Sequence, residues 1–529
     1  MEASASQASG IRLTELLAAL SLGIDLGMGH PMEHVLRQSF VALRLAERVG
    51  LDAPEREVVF YSSLLAWVGC HVDAYEQAKW FGDDQAVKHA IRGVDLGKPI
   101  EGAAFTIRHL GRGRSLLGRA KAGVGFAREG RHDLEVMFEN HWRAADMLME
   151  QLGLSQEIRD SVCQTFERWD GKGEPDGVRG EEVMLASRLV NLADVVAVFE
   201  RADGVDAAIA VAKARRGTQF DPDLVDLFVS EAEGLFAGLD GVSTWDAAMA
   251  AEPLLERELS NEELDSALGA VADFVDVKSP YTIGHSRGVA ELAVDAATVA
   301  GFPTGEVTNV YRAGLLHDLG RLGVSNAIWD KHTSLSQPEV ERVRLHPYFS
   351  ERMVSSSPVL APLAALASQH HERLDGSGYP RGLTAEAITP AGRLLAAADL
   401  YRAKTEERPH RPALRADEAA DVLRAEVRAG RIDSDAADAV MRAAGQRVGR
   451  RRAWPAGLTA REVEVLRLVA RGLSHQQIAE RLVIARKTAS NHVEHIYTKI
   501  GVQNRAMASV FAMRYGLLDP IDTPRGDAP

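Results

Sequence analysis

Two segments of this chain, QTFERWDGKGEP at 164 to 175 and QHHERLDGSGYP at 369 to 380, align without a gap at an offset of 205 residues. At that offset His141 falls on His346, Gly171 on Gly376 and Asp194 on Asp399. Further upstream the offset becomes 251, pairing His34 with His285, Gly50 with Gly301 and LLAWVG (64 to 69) with LLHDLG (315 to 320). An internal repeat of this length is a strong constraint, because any fold proposed for one copy must also suit the other. The two offsets differ by 46 residues, an insertion in the first copy between Gly69 and His141. It includes GRGRSLLGRAKAGVGFAREG, which reads as an irregular excursion.

Apolar residues recur at spacings of three and four almost throughout, and long alternating or β-branched runs are scarce, so the expected fold class is all-α. Linkers are expected around Gly238 to Pro253 and in the arginine-rich GQRVGRRRAWP at 445 to 455. The net charge of −14 over 529 residues hides an asymmetry. Residues 447 to 518 hold 13 Lys or Arg against 4 acids, whereas the 446 residues before them carry −21. An acidic body with a basic carboxyl end suits a regulator with a nucleic-acid-binding appendage, although a solvated charged end would look similar. No apolar run approaches the roughly 20 residues of a membrane span, and the first residues lack the features of a signal peptide. Cys70 and Cys163 are too few and too far apart to suggest a disulfide framework or a zinc knuckle. The expected location is therefore the cytoplasm, with no membrane partner.

The second copy contains His285, His317, Asp318, His346, His370, His371 and Asp399. Taken singly, a His-Asp dipeptide or a pair of histidines is ordinary helix surface. Together, five imidazoles and two carboxylates without a thiolate suit iron, manganese or zinc, and they are too many for one tetrahedral ion. Neighbours on a helix point about 100° apart, so His370 and His371 are expected to reach toward different ions. The same geometry lets Asp318 bridge two metals while His317 binds one, an arrangement that activates water and neutralises phosphate charge.

The segments SPYTIGHS (279 to 286), LLHDLG, HPYFSERM (346 to 353), HHERLDGSGYP and AAADLYRA resemble the HD-GYP family of metal-dependent phosphodiesterases over roughly 270 to 445. The resemblance implies an all-helical domain that hydrolyses cyclic di-GMP, with the seven residues above as metal ligands. It places Asp318 and Arg321 in catalysis, and Arg321, Arg408 and Arg411 against the phosphates of a cyclic dinucleotide. Tyr281 stands where members with a third metal carry a carboxylate, which sets the expectation at two divalent transition ions, iron or manganese ahead of zinc. Arg321 replaces the usual Lys, keeping the charge as a wide guanidinium fork. Arg402 replaces an Asp that normally touches the site, which leaves open a second reading: a non-catalytic regulator that senses a ligand or dimerises.

In the first copy His317-Asp318 becomes Ala66-Trp67 and His370-His371 becomes Thr165-Phe166, leaving His34, His141 and Asp194. A two-metal centre is not expected there, and Trp67 and Phe166 should fill the space with apolar volume.

Residues 456 to 518 resemble the LuxR-type helix-turn-helix domain. Capping boxes Thr459/Glu462 and Ser474/Gln477 each launch a short amphipathic helix. A third helix buries Ala489, Val493, Ile496 and Ile500, and shows Arg486, Lys487, Ser490, Asn491, His495 and Thr498 on its other face. The resemblance implies a dimer on double-stranded DNA, with Arg486, Lys487, Thr488, Asn491 and His492 facing the duplex and Lys499 and Arg505 on its phosphates. Ala485 replaces the usual Ser at the helix start, and Ala489 replaces a Val.

The expected architecture is thus two HD-type helical domains followed by a four-helix helix-turn-helix domain. Their spans are 13–235 for the degenerate copy, 256–446 for the phosphohydrolase copy and 456–518 for the DNA-binding domain. Residues 1–12 and 519–529 are expected to be disordered, and 447–455 to form a basic linker. The expected function couples cyclic di-GMP hydrolysis to transcription regulation by a homodimer.

Overall fold

The computed structural model describes residues 10–95, 97–239, 243–250, 257–446, 455–470, 472–502, 504–515 and 517. Most of the expected disordered termini and basic linker lies outside these residues. The chain forms two compact units, Met1–Arg447 and Val448–Pro529. The two copies of the repeat share the first unit.

The first copy begins with α1 (Leu13–Gly27), α2 (His34–Val49) and α3 (Ala53–Leu65). Next come α4 (Ala74–Phe81), α5 (Asp84–Ile91), α6 (Pro99–His109), α7 (Leu116–Gly125) and α8 (Arg131–Gln151). The copy ends with α9 (Gln156–Cys163), α10 (Leu185–Asp203), α11 (Val205–Arg215) and α12 (Pro222–Phe236). After α13 (Thr244–Ala250), the second copy runs through α14 (Asn261–Asp276), α15 (His285–Val299), α16 (Thr304–Leu316), α17 (Asn326–Trp329) and α18 (Gln337–Arg344). It finishes with α19 (His346–Val354), α20 (Ala361–Ala367), α21 (Pro390–Thr405), α22 (Ala416–Arg428) and α23 (Ser434–Ala443). Among the described residues the only sheet is an antiparallel ribbon of Ile11–Arg12 with Glu258–Leu259, which joins the chain just ahead of α1 to the chain just ahead of α14.

The repeat survives in detail. Asp25 accepts the backbone N–H groups of His34 and Val35, and Asp276 accepts the N–H and hydroxyl of Ser286. Each buried carboxylate thus caps the helix that opens with the first histidine of its copy. Gln164 accepts the Met184 N–H as Gln369 accepts that of Thr389. Glu167 accepts from Asp176 and Gly177, and Glu372 from Arg381 and Leu383. Glu372 therefore ties down the turn after the histidine pair. Gly378 admits no side chain, because a Cβ would strike Glu372, and Gly173 is hemmed in by Glu167 in the same way.

Helix α1 is buried on nearly every side. A Cβ at Gly23 would run into Met353 and Leu322 of the second copy, and Glu15 accepts a 2.6 Å hydrogen bond from Ser357. The insertion adds a second clamp. Asp84, fully buried, accepts from the Ser325 hydroxyl at 2.6 Å and the Asn326 N–H at 2.9 Å.

Two expectations need correction. The glycine-rich stretch 111–130 is helical from Leu116, because Phe126 packs edge-on against Trp80 and Phe81, and that burial outweighs weak propensity. The expected linker near Gly238 to Pro253 contains α13, which buries Trp245, while Thr244 donates to Glu33 at 2.7 Å.

The carboxyl unit packs α24 (Ala460–Ala470), α25 (His475–Leu482), α26 (Arg486–Ile500) and α27 (Arg505–Arg514) around Leu466, Val469, Ile478, Ala489, Val493 and Ile496. Both expected capping boxes form. Val483 closes α25 at φ 53° with 91% of its surface exposed. A β-branched residue is strained in that left-handed region. Val483→Gly should therefore raise the stability of this unit by about 0.5–1 kcal/mol, read as a higher urea midpoint.

Candidate metal centre and DNA-binding face

Six of the seven expected ligands of the second copy sit at helix ends or just beyond them. His285 opens α15, His317 and Asp318 follow α16, His346 opens α19, and His370 and His371 lie in the turn after α20. Asp399 comes from within α21. The histidine pair is not on a helix, because α20 stops at Ala367. His370 Nε2 faces His346 Nε2 at 3.1 Å, while His371 Nδ1 lies 3.6 Å from Asp399.

A common device aims three of the rings. His317, His346 and His370 each donate from Nδ1 to the carbonyl three residues earlier, those of Gly314, Val343 and Ala367, at 2.6 to 2.7 Å. A carbonyl can only accept, so each Nδ1 carries a proton and each ring turns its Nε2 inward. Burial holds His346 at about 4 and His370 at about 3, well below the usual imidazole range. With both of these rings neutral, two inward lone pairs 3.1 Å apart repel unless a shared proton or a metal ion lies between them. His317 Nε2 is buried without a hydrogen-bond partner, which points the same way.

The Asp318 carboxylate lies between two groups of imidazoles. Oδ2 is 3.6 Å from His285 Nε2 and 3.5 Å from His317 Nε2. Oδ1 is 3.3 Å from His346 Nε2 and 3.9 Å from His370 Nε2. Donor atoms sharing one ion at about 2.0–2.2 Å lie roughly 3–4 Å apart, so the residues fit divalent metal on both sides of this carboxylate. Burial opposes charge on His285, yet hydrogen bonds to Asp399 and Glu406 and the charge of Asp318 raise it to about 9. A proton there balances the carboxylates as a metal would.

Glu406 escaped the sequence reading. Its Oε2 accepts from His285 Nδ1 at 2.7 Å, and Arg402 and Arg408 each pair with it at 2.9 Å. Arg402 thus holds the carboxylate that orients the far side of the His285 ring, rather than facing the cluster itself. Arg321 lies 3.2 Å from Asp318 with its guanidinium over the Trp329 ring, and Arg408 also donates to the Tyr281 carbonyl. Arg411 directs its guanidinium to the carbonyls of Ala403, Lys404, Glu406 and Pro412, at the end of α21. Lys278, also missed, is buried and donates to the carbonyls of Arg321, Leu322 and Val324, fixing the turn that carries Arg321.

The first copy has kept a cation in the matching place. Trp67 and Phe166 meet edge to face at 4.8 Å, as expected, and Trp67 donates to Asp194 at 3.0 Å. Arg92, from the insertion, covers the Trp67 ring at 4.1 Å and lies 3.2 Å from His34 and 3.4 Å from Asp194. Its guanidinium stands among the counterparts of His285, Asp318 and Asp399.

In the carboxyl unit Arg486, Lys487, Thr488 and Asn491 are exposed along one side of α26, and His492 is half-buried. The opposite side buries Ala489, Val493 and Ile496. Lys499 pairs with Glu462 at 2.8 Å, and Arg505 donates to the carbonyls of Gly472 and Leu473. Ala485 provides no side-chain cap.

Sequence profiles of the HD domain family match residues 131–224 and 269–436, and a profile of bacterial regulatory proteins of the luxR family matches 456–512. The chain is 31% identical over 418 residues to 3′3′-cGAMP-specific phosphodiesterase 3 of Vibrio cholerae, covering 78% of this chain and 90% of that protein. It is 39% identical over 140 residues to a cyclic di-GMP phosphodiesterase of Pseudomonas aeruginosa, covering 26% of this chain and 34% of the relative. The crystal structure of a cyclic GMP-AMP specific phosphodiesterase of V. cholerae superposes with a TM-score of 0.58 at 26% identity, covering 83% of this chain and 99% of that one. No helix among the described residues is long and apolar enough to cross a membrane. With both copies spanned by one relative and the carboxyl unit matched separately, the chain belongs to the HD-GYP family of HD-domain proteins and ends in a DNA-binding domain of the luxR family.

Proposed function

We propose that the second copy is a phosphodiesterase that opens a 3′3′-linked cyclic dinucleotide, and that the carboxyl unit binds double-stranded DNA as part of a homodimer in the cytoplasm. The observation that carries the first part is the Asp318 carboxylate set between His285 and His317 on one side and His346 and His370 on the other. His371 and Asp399 complete the set, which is proposed to hold two divalent ions, iron or manganese in preference to zinc. Bound there, such ions would supply an activated water and neutralise charge on the phosphate under attack. Arg321, steadied by Trp329, is placed to meet a phosphate oxygen beside Asp318, and Arg408 adds positive charge near His285. Arg411 is committed to backbone carbonyls and is the weaker candidate for a substrate contact.

The relative that matches both copies is named for 3′3′-cGAMP, and shorter matches for cyclic di-GMP, so the substrate is proposed within that pair with 3′3′-cGAMP first. Protein purified without oxygen and loaded with iron or manganese should convert 3′3′-cGAMP to a linear dinucleotide faster than cyclic di-GMP. Tight binding of either without turnover in any metal would instead favour a ligand-sensing regulator.

On DNA, Arg486, Lys487, Thr488, Asn491 and His492 are proposed to face the major groove. Lys499 and Arg505 would have to exchange internal partners for phosphates. Nucleotide and DNA are proposed to alter each other's affinity by one common factor.

A further inference from the structure

We infer that the first copy holds a divalent metal of its own, zinc by ligand chemistry, between Cys70, Asp73 and His141. One donor atom from each of these residues lies within 4.8 Å of the others, and all three side chains are buried. Asp73 Oδ2 is 2.9 Å from His141 Nδ1, while Asp73 Oδ1 is buried with no hydrogen-bond partner. An unsatisfied carboxylate oxygen in such a place is destabilising, and a bound cation removes that penalty.

The local fold brings the three together. Cys70 belongs to the 3₁₀ turn Val68–His71 and Asp73, three residues on, immediately precedes α4, so the short connection between the two elements keeps them close. His141 approaches from α8 across Gly69, where any Cβ would collide with its ring.

The chemistry matches zinc. One thiolate and one carboxylate balance two positive charges, and a neutral imidazole completes a net-neutral set suited to a buried position. A sulfur ligand disfavours magnesium, calcium and manganese. The site shares only His141 with the family's own. Positions 70 and 73 correspond to Arg321 and Val324 in the second copy, so nothing equivalent exists there. Of the three surviving ancestral positions, His34 and Asp194 are engaged by Arg92, whereas His141 has turned to Asp73.

Cobalt gives a direct test, because a thiolate bound to Co²⁺ produces a near-ultraviolet charge-transfer band and imidazole or carboxylate ligands do not. The chain has only two cysteines, Cys70 and Cys163, and the second copy has none. Full-length protein stripped with a chelator and titrated with Co²⁺ should develop the band, reaching at saturation the intensity of one cobalt–thiolate bond per chain while the second copy fills silently. Cys70→Ser should abolish it and Cys163→Ser should leave it. Asp73→Asn, which keeps the side-chain volume, should weaken cobalt binding at this site at least about tenfold with unchanged helix content. If Cys70→Ser fails to fold, the Asp73→Asn titration decides. Absence of the band in the parent protein, its loss only in Cys163→Ser, or undiminished binding in Asp73→Asn would overturn the assignment and leave a hydrogen-bonded Asp–His pair.

Discussion

Asp318→Ala should lower cyclic dinucleotide hydrolysis at least about 10³-fold and deplete the second copy of metal. The side chain presents one oxygen to His285 and His317 and the other to His346 and His370, each within 3.3 to 3.9 Å. Without it, five imidazoles and the single carboxylate of Asp399 remain to balance the two proposed dications in a buried site. Arg321 also loses its only ion-pair partner among the described residues, so its position over Trp329 is no longer fixed from the metal side. Initial rates and metal content per chain, measured together, check the claim. Asp375→Ala is the internal control, since Asp375 caps an exposed turn through Ser377 and should leave the rate nearly unchanged. An Asp318→Ala protein that kept a tenth of the parent rate with its full metal content would remove Asp318 from the proposed bridge.

The second large effect is on stability. Arg92→Leu should destabilise the first unit by about 3–5 kcal/mol, because it strands the buried Asp194 carboxylate. Adding Asp194→Asn should restore most of that loss, since no unpaired charge then remains and the Trp67 N–H keeps an acceptor. Urea unfolding of the single and double variants measures both. Burial raises the Asp194 pKa while Arg92 and Trp67 pull it down, so removing Arg92 raises it further. A raised folded-state pKa means that the folded form holds its proton longer than the unfolded form as pH climbs. The penalty of Arg92→Leu should therefore be full at neutral pH and shrink as pH falls into the range where Asp194 protonates. A cost below about 1 kcal/mol at neutral pH would show that the guanidinium is not what sustains the carboxylate there.

The residues gathered around Asp318 were legible because all but Asp399 are written into short local patterns at helix ends, as with His346 opening α19 or His317-Asp318 closing α16. The repeat was legible for the same reason, and its turn around Gly378 recurs around Gly173 because both are closed by a glutamate at the matching position. The groups that escaped notice act across the fold. Arg92 lies in a segment with no counterpart in the second copy, so alignment of the repeats passes over it. Glu406 sits among basic residues in a loop, and only packing shows that it reaches His285 at 2.7 Å. Lys278 acts on backbone carbonyls, which carry no sequence signature at all. The insertion was misjudged because glycine content reports local preference, whereas Phe126, Trp80 and Phe81 settle its conformation by burial.

Helix α1 begins the first copy, yet part of its wall is made by Met353 and Leu322 of the second. Duplicated genes usually gain independence, each half free to be lost once its chemistry is redundant. Here the copy without the histidine pair is structurally indentured to the one that keeps it: mutation could erase its histidines, but deleting its frame would unroof its neighbour. A copy barred from leaving and relieved of its old duty is raw material for new ligands and new controls, with its fold guaranteed by a partner that still has work to do.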